Sequence, residues 1–538
     1  MDEVFAERVI PANDKVRLLD EMIEELDLSP IMRARKRRSR EERTSDMAMF
    51  KVIVYAAMER KYSSRPIEEA CLRDINYIWL LNGEPAPGYR SICRFRSDVL
   101  SECAEEIFYE FVHKLKALGE IEYEHLFGDG TKLEANANKY TFVWKKSVTK
   151  HEARVLEKIE KLTTALSCKH GILPIAMPEA TEAVEATSAA DTEATADKAD
   201  PADPADPAEA LLKLLREKHI TPFVHGRGKR KSELQRDIEE LAELLARKRK
   251  YAVYQDTFKG RNSFSKTEPD ATFMRMKDDH MRNSQLKPGY NIQFGVEGEY
   301  ITGVLVSSER SDQLCMIPLL ENMASHGIVY EDVTLDAGYE SQENYTYFEN
   351  PRADGKSTAC YIKPQNYERS KTKKFKSNMA LRENMAYDAS ADEYTCQNGK
   401  KLKAMYTGTK KSKSGFEREV TFYACEDCTD CPHKKRCTRA KGNRQMQVSK
   451  RFIEQRAASL ARITSEKGRL LRMNRSIQVE GSFGVIKQDY GFQRFLHRSN
   501  PKVKTEILIV AMGYDMNKFH NKIQQNRTRS QLHEKMTA

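Results

Sequence analysis

The fold is decided by the stretch FGDGTKLEANAN, residues 127–138, in which a single acidic residue follows a short apolar run. Asp129 in this stretch directly precedes Gly130, and Asp336 in VTLDAGY, residues 333–339, follows an apolar run and precedes Gly338 by two positions. Short apolar runs bounded by glycine are typical of buried strands. We therefore expect both carboxylates to emerge at strand ends beside a turn, although one Asp before Gly is by itself usually a turn former.

A third acid, Glu480, lies in a segment with helical spacing, where Val479, Phe483 and Ile486 would bury one face. Lys487 follows seven positions later, which is two helical turns or roughly 10.5 Å along the same face. This spacing would let Lys487 hold a phosphate beside the acid. For the helix taken alone, solvated surface positions for Glu480 and Lys487 remain an alternative.

Three acids suit one kind of chemistry. Phosphodiester hydrolysis or transfer without a covalent enzyme intermediate uses two divalent ions about 3.5–4 Å apart. Carboxylates hold such ions and leave room for phosphate and water. We therefore predict that Asp129, Asp336 and Glu480 bind Mg²⁺ or Mn²⁺.

Around these acids the sequence alternates between strand and helix patterns, with a helix expected at residues 312–325. The alternation predicts an α/β core. The strand-like segments are LFGDGTKLEA (126–135), KYTFVWKK (139–146), NIQFGVEGEYITGVLVSS (291–308), VTLDAGY (333–339) and TACYIKP (358–364).

The N-terminal part, residues 1–120, predicts an all-α domain. Its later helices are short, and Ser91 could cap one that carries arginines, a pattern typical of a helix-turn-helix-like DNA reader. The candidate DNA contacts there are Arg65, Arg94 and Arg96. An ordinary helical bundle with solvated arginines is the alternative.

Two insertions interrupt the core sequence. Residues 146–262 predict a helical arm around an Ala-, Asp- and Pro-rich stretch, 174–209, which cannot bury a core and should be a disordered acidic linker. The arm could hold DNA or a second protomer, or be a simple packing hairpin. The core would therefore comprise 121–365 and 451–525, with a basic Cys-rich insertion at 366–450 and a basic tail at 526–538.

Charge favours a polyanionic partner. The net charge is +10, although residues 179–209 hold ten acids against Lys198 alone, so the rest of the chain is more basic still. Lys and Arg that neutralise phosphates release counterions and so favour nucleic-acid binding. A well-solvated surface would have the same composition.

Four of the eleven cysteines crowd into one segment with the spacing C-x2-C-x2-C-x5-C. Thiolates at this density favour a tetrahedral structural Zn²⁺ in a small knuckle. An Fe–S cluster and free thiols are the alternatives. The candidate ligands are Cys425, Cys428, Cys431 and Cys437, with Cys396 upstream.

No apolar run approaches the ~20 residues that span a bilayer, and residues 1–10 lack a secretory apolar region. We therefore expect no membrane partner and a cytoplasmic location.

The longer motifs add a resemblance that covers roughly residues 45–520. In their order and in their residues these motifs resemble those of DDE transposases of bacterial insertion sequences, in the group with DGT-x-x-EANAN at the first acid. The matching motifs are SSRPIEEACLRDINYIWLLNG (63–83), SICRFR (91–96), GDGTKLEANANKYTFVWKKS (128–147), DATFMRMKDDHMRNSQLKPGYNIQ (270–293), LDAGYES (335–341) and VEGSFGVIKQDYGFQRFLHR (479–498).

This resemblance implies a ribonuclease-H-like catalytic core, a mixed sheet flanked by helices, with Asp129, Asp336 and Glu480 as the metal-binding triad and Lys487 as a phosphate contact. It also implies an N-terminal domain that reads terminal inverted repeats, a homodimer in the synaptic complex, and nucleoid association in the cytoplasm. Related enzymes place an Arg four residues before the Glu, whereas Arg475 lies five before it. Arg475 is nonetheless a candidate DNA contact.

The resemblance implies Mg²⁺-dependent cleavage at the element's ends and transfer of the 3′-OH into target double-stranded DNA. Two alternatives remain at this point. One is a catalytically silent, sequence-specific DNA-binding protein, such as a repressor or a domesticated transposase. The other is a stand-alone nuclease of the same fold.

Overall fold

A computed structural model describes residues 7–35, 44–172, 206–226, 229–276, 285–351 and 355–534. The acidic linker expected at 174–209 lies almost wholly outside the described residues, and the basic tail is described only as far as 534. The described chain divides into two compact units, one formed by Met1–Asn138 with Asp270–Ala538 and the other by Lys139–Pro269.

The first unit is built on a six-stranded mixed sheet. Its order is β4-β5-β1-β7-β8, with β6 paired to β5. β1 is central because it pairs antiparallel with β5 on one side and parallel with β7 on the other. The strands in chain order are β1 (His125–Glu134), β2 (Phe142–Trp144), β3 (Ser263–Ser265), β4 (Thr272–Arg275), β5 (Leu286–Glu297), β6 (Tyr300–Ser307), β7 (Asp332–Leu335), β8 (Ala359–Ile362), β9 (Ala386–Asp388), β10 (Glu393–Thr395), β11 (Lys401–Lys411), β12 (Glu417–Cys425) and β13 (Gln445–Val448).

Helices flank this sheet and also form the N-terminal part. Two turns with wider π-helical pitch, Phe95–Leu100 and Val485–Asp489, continue the helices that precede them. The α-helices are α1 (Lys15–Glu24), α2 (Ser29–Ala34), α3 (Asp46–Met58), α4 (Ser64–Arg73), α5 (Ile75–Leu80), α6 (Tyr89–Arg94), α7 (Ser101–Ala117), α8 (Lys145–His170), α9 (Pro207–Lys218), α10 (Glu233–Phe258), α11 (Met316–Ser325), α12 (Gln342–Glu349), α13 (Tyr367–Ser370), α14 (Lys373–Lys376), α15 (Lys434–Cys437), α16 (Lys450–Thr464), α17 (Glu466–Gly484) and α18 (Asn500–Gln524).

β1 extends further than the sequence pattern indicates. We expected Asp129 at a strand end before a glycine turn, but β1 continues to Glu134 and Gly130 pairs with Gln293 across the sheet. The glycine has a packing reason instead. A Cβ on Gly130 would lie 2.2 Å from the Gln293 side chain and 2.6 Å from Asp312 Oδ1, so a larger residue would have to displace both side chains. Asp336, in contrast, directly follows β7 as expected.

The N-terminal helices share one hydrophobic core with the sheet. α3 is buried along almost its whole length and packs against α18, where Gly513 approaches Ala57 so closely that an added Cβ would lie 2.9 Å from the Ala57 side chain. Asn517 Nδ2 also donates to the carbonyl of Met58 at 3.0 Å. The N-terminal helices expected to form their own domain therefore lie in the same unit as the core.

The Cys-rich insertion is larger than a knuckle. It forms a five-stranded antiparallel sheet of order β13-β12-β11-β10-β9. A small cluster that includes Tyr394, Leu402, Tyr423 and Cys425 is buried within it. This sheet buries enough apolar surface to contribute to its own stability.

The second unit contains the helical arm. α8 and α10 pack together with α9 around leucines and isoleucines, as the helical spacing predicts. The strand segment KYTFVWKK belongs here and not to the core: β2 covers only Phe142–Trp144, pairs with β3, and gives way to α8 at Lys145. Lys145 and Lys146 of this segment are the first two residues of α8.

The α/β class expected from the sequence is confirmed, with a mixed sheet, flanking helices and an N-terminal helical region.

Candidate active site

Asp129 and Asp336 lie on neighbouring parallel strands. The register pairs Gly128 of β1 with Leu335 of β7, and each aspartate is the next residue along its chain. The Asp129 carboxylate accepts the backbone N–H of Gly130 at 2.7 Å, and Asp336 Oδ1 accepts that of Gly338 at 2.7 Å. The spacing of these two acids is therefore set mainly by the backbone of the sheet.

Glu480 reaches the same place from α17. Phe483 on this helix stacks on Phe294 of β5 with ring centroids 4.7 Å apart. Arg475 then lies between two of the acids: Nη1 is 3.2 Å from Asp129 Oδ2, and Nη2 is 3.1 Å from Glu480 Oε1. The structure thus brings Asp129, Asp336, Glu480 and Arg475 into one cluster, although the carboxylate oxygens of the three acids do not all lie within 4.8 Å of one another.

Acidic side chains outnumber basic ones in this cluster, with three carboxyl groups and one guanidinium. Burial raises the pKa of Asp336, and the nearby Asp129 carboxylate raises it further. The Gly338 N–H and the Arg475 guanidinium act in the opposite direction, but they do not outweigh these effects. Two carboxylates that resist joint ionisation favour a bound cation.

Sequence reasoning missed one acid close to this cluster, Asp312. Its Oδ1 accepts hydrogen bonds from Asn291 Nδ2 at 2.8 Å and Gln293 Nε2 at 3.0 Å. Tyr339 donates its hydroxyl to Gln293 Oε1. Asn291 and Gln293 are buried. They therefore brace Asp312 behind the two aspartates, and the alternation of polar residues along β5 was the available signal for this role.

An open pocket of about 570 Å³ adjoins the acids. Its lining combines carboxylates with cationic side chains from α17 and the end of β8. The lining residues are Leu335, Asp336, Ala337, Lys363, Arg469, Arg472, Met473, Arg475, Ser476 and Glu480.

Lys487 does not occupy the position that its spacing suggested. α17 ends at Gly484, and Lys487 lies in the following π turn, so the seven-residue interval from Glu480 is not two α-helical turns. Its side chain is buried, and it is absent from the lining of the pocket beside the acids.

The three N-terminal arginines differ in exposure. Arg65, over the ring of Tyr89, and Arg94 are exposed. Arg96 is buried in the π turn after α6 and donates to the carbonyl of Tyr62 at 2.6 Å. In this structure the Arg96 side chain therefore points into the protein and does not present its guanidinium at the surface, as a DNA contact would require.

The four cysteines are only partly gathered. Burial raises the pKa of Cys425 to about 12, with a further contribution from the adjacent Cys428 thiol and from Cys396. Cys437 Sγ instead accepts a hydrogen bond from Arg444 at 3.1 Å. Cys431 is partly exposed. The thiols near Cys425 therefore include Cys396, which lies outside the expected four.

Within the described residues, one group brings three possible metal ligands within 4.8 Å of one another: Glu124, His125 and Asp332. His125 and Asp332 begin β1 and β7, whereas Asp129 and Asp336 come four residues later along each chain. Lys467 Nζ is already 2.6 Å from Asp332 Oδ2. Burial opposes ionisation of Asp332, but His125 and Lys467 outweigh it and lower its pKa. The carboxylate thus has cationic partners from the protein itself.

Fold and site together define a class. A sheet of order β6-β5-β1-β7-β8, with aspartates on its two central parallel strands and a glutamate on a later flanking helix, is the ribonuclease-H-like arrangement.

Comparison with protein families gives the assignment. Residues 395–520 match the family described as Transposase DDE domain, and residues 4–98 match the family described as Transposase domain (DUF772). These two matches support an assignment to the DDE transposases of insertion-sequence elements. The first match includes Glu480, whereas Asp129 and Asp336 lie outside both matched ranges.

No curated protein and no solved structure matches the chain. Among the described helices, none combines the length and the apolar character that crossing a bilayer would require.

Proposed function

We propose that this transposase cuts DNA at the ends of its own insertion sequence and joins the released 3′-OH to target DNA. One observation carries the proposal: Asp129 and Asp336 lie on adjacent parallel strands, and Arg475 links Asp129 to Glu480.

The donor set fits divalent metal ions. Asp129, Asp336 and Glu480 offer hard oxygen ligands, and the raised pKa of Asp336 reflects a buried pair of acids that a cation would relieve. The Arg475 guanidinium already places positive charge between Asp129 and Glu480. Mg²⁺ or Mn²⁺ held by these acids would supply activation of the attacking oxygen and stabilisation of the leaving oxygen.

The reaction needs two displacements at phosphorus. In the first, the oxygen of water bonds to the scissile phosphorus, the P–O3′ bond breaks, and the element's strand leaves as a free 3′-OH. In the second, that hydroxyl oxygen bonds to a target phosphorus and gives up its proton, a target P–O3′ bond breaks, and the leaving target oxygen takes up a proton to become a 3′-OH. Asn291 and Gln293 hold the Asp312 carboxylate beside the acidic cluster through side-chain hydrogen bonds.

The DNA partners follow from this role. Terminal inverted repeats would be read by the N-terminal helices, where Arg65 and Arg94 are exposed. Two ends must be handled together, which favours a homodimer in the synaptic complex. Work on DNA would bring the protein to the nucleoid in the cytoplasm. Lys487 remains a proposed phosphate contact only for a state in which it leaves its buried position.

A structural Zn²⁺ in the second sheet is a further part of the proposal. Burial and neighbouring thiols raise the pKa of Cys425, and a zinc ion would remove that conflict by binding thiolates. Cys425 and Cys428 are the best placed ligands, and Cys396 joins Cys431 and Cys437 as a candidate for the remaining positions.

Cleavage and strand transfer by the purified protein test the function. The substrate is labelled DNA that carries the repeats flanking the gene, with Mg²⁺ or EDTA, beside Glu480→Gln. We expect end-specific nicking and joining that require Mg²⁺ and are lost in the variant. End binding without cleavage under Mg²⁺ or Mn²⁺ would instead identify a catalytically silent DNA-binding protein, and cleavage without joining a nuclease.

A further inference from the structure

One face of α17 carries arginines that lead toward Glu480. Arg469, Arg472 and Arg475 follow one another at intervals of three residues and all line the open pocket beside the acids. At 1.5 Å per residue, Arg469 and Arg475 are separated by about 9 Å along the helix axis. Glu480 lies about 7.5 Å further on. The pocket is therefore cationic at one end and acidic at the other.

Two of these arginines make their hydrogen bonds to backbone carbonyls. Arg469 is exposed, and its Nε donates to the carbonyl of Ser465 at 3.4 Å. Arg472 lies over the ring of Tyr367, 5.2 Å from its centroid, and donates to the carbonyl of Ile463 at 3.4 Å. In the described part of the chain, neither has a carboxylate within ion-pair distance. Arg475, in contrast, is held by Asp129 and Glu480.

The Tyr367 ring explains how Arg472 is kept in place. Stacking on an aromatic face holds a guanidinium plane and leaves most of its five N–H donors available. Lys363 extends the charge at the same pocket, although Glu368 lies 3.0 Å from its ammonium group. Positive charge held in place and not neutralised by the protein favours an anionic ligand.

The length of the row indicates which anion. The arginine row extends over about 9 Å along the helix axis, which is wider than a single phosphate group and suits consecutive phosphates of one strand. A single phosphate ion would use only one end of this row. A strand that runs along α17 would meet the acids with its next phosphates.

We propose that Arg469 and Arg472 bind the backbone of the DNA strand that enters the acidic cluster, with Lys363 at the rim of the same pocket. This inference rests on the proposed function and adds positioning residues to it. Contacts to phosphate carry no base preference, so they act alike on the element's ends and on target DNA.

The test measures DNA affinity by fluorescence anisotropy between 50 and 200 mM KCl, with labelled end DNA and a scrambled duplex. The Arg469→Ala/Arg472→Ala double variant is compared with the wild type and with Arg469→Lys/Arg472→Lys. Arg451→Ala is the matched control, because Arg451 is exposed, already paired with Glu349 at 2.8 Å, and outside the pocket.

We expect the slope of log K against log salt to fall by about 0.9 per arginine in the alanine variant, equally on both DNAs. The lysine variant and the control should keep the wild-type slope. An unchanged slope in the alanine variant would overturn the inference. A lower melting temperature of this variant with unchanged DNA affinity would overturn it as well. The wild type is also assayed for cleavage of the same end DNA. Binding without cleavage by the wild type would count against the proposed function, whereas an unchanged slope in the alanine variant counts only against this inference.

Discussion

Among single residues, Asp336 has a charge that acts against folding in the absence of metal. Its pKa is raised above the ordinary 3.8 by burial and by Asp129. Its contribution to stability is therefore fully present below pH 3.8 and is lost as the pH rises through the raised value.

Asp336→Asn should therefore raise the melting temperature of the metal-free protein at pH 7, and the difference should shrink toward pH 4. The same variant should lose more than about 100-fold in cleavage rate, because even residues that only hydrogen-bond to metal ligands cost about 10–100-fold when they are replaced. Thermal melts in EDTA from pH 4 to 8 check the first effect, and end cleavage checks the second. Equal melting temperatures at every pH would contradict the charge argument.

Arg475 competes with metal for two ligands. Its guanidinium contacts both Asp129 and Glu480, so a cation bound to those acids must displace it. We expect Arg475→Ala to bind Mn²⁺ about tenfold more tightly in calorimetry without DNA, since hydrogen bonds to charged groups are worth about 1.5–3 kcal/mol. Arg475→Lys retains the charge and serves as the control. Weaker binding by the alanine variant would show that Arg475 is needed to assemble the site.

The sequence predicted individual residues unevenly. Asp129 and Asp336 were predicted from acids that follow short apolar runs and Glu480 from helical spacing, and their metal-binding role stays a prediction. Asp312 was not predicted: the polar alternation along β5 marks Asn291 and Gln293, but their contact with the turn after β6 is not encoded in local pattern. The inward turn of Arg96 depends on a π turn that departs from regular helical spacing.

At the scale of helices and turns, α6 ends with the exposed Arg94, and the π turn after it contains the buried Arg96. Arg94→Ala should reduce the salt slope of end binding by about 1, because its side chain is exposed. Arg96→Ala should leave that slope unchanged and destabilise the fold by about 1–3 kcal/mol, since the carbonyl of Tyr62 loses its buried donor. Anisotropy and urea unfolding measure the two effects. A slope change in Arg96→Ala alone would reverse this assignment.

The second sheet gives a test at the scale of one element. We expect about one Zn²⁺ per chain by elemental mass spectrometry of protein purified under reducing conditions, and its loss in Cys428→Ser. Cys168→Ser is the control, because Cys168 is an exposed thiol in the other unit. Cys396→Ser determines whether this thiol is a ligand. Zinc-free wild-type protein would contradict the proposal.

Helix and strand boundaries followed the sequence where local periodicity dominates. The helix at 312–325 appears as a 3₁₀ turn followed by α11, and the leucine spacing of the arm is present in its packed helices. The strand expected at 139–146 was too long and was placed in the wrong unit, because its pairing with β3 comes from a segment more than a hundred residues away. Long-range pairing of this kind leaves no local signal.

For the whole molecule, the arrangement in two units predicts that one folds without the other. Glu134 and Thr272 both pair with Gly289, from opposite sides of β5, so the chain leaves and re-enters the sheet about two strand spacings, roughly 10 Å, apart. Replacing residues 139–269 with a short Gly-Ser linker should leave the first unit folded. Circular dichroism and cooperative melting check this, with a deletion variant of equal linker length that cuts into β1 as the control. A molten shortened protein would show that the second unit is needed for folding.

The parallel register of β1 and β7 also has a consequence for how such a protein can change over time. Asp129 and Asp336 keep their separation through backbone hydrogen bonds between two strands, and the long inserted segments depart from the chain at points that do not interrupt this pairing. Segments can therefore be lengthened, shortened or exchanged without moving the reactive carboxylates. Insertions can therefore differ in length and sequence between related proteins while the paired strands keep the two aspartates at a constant separation.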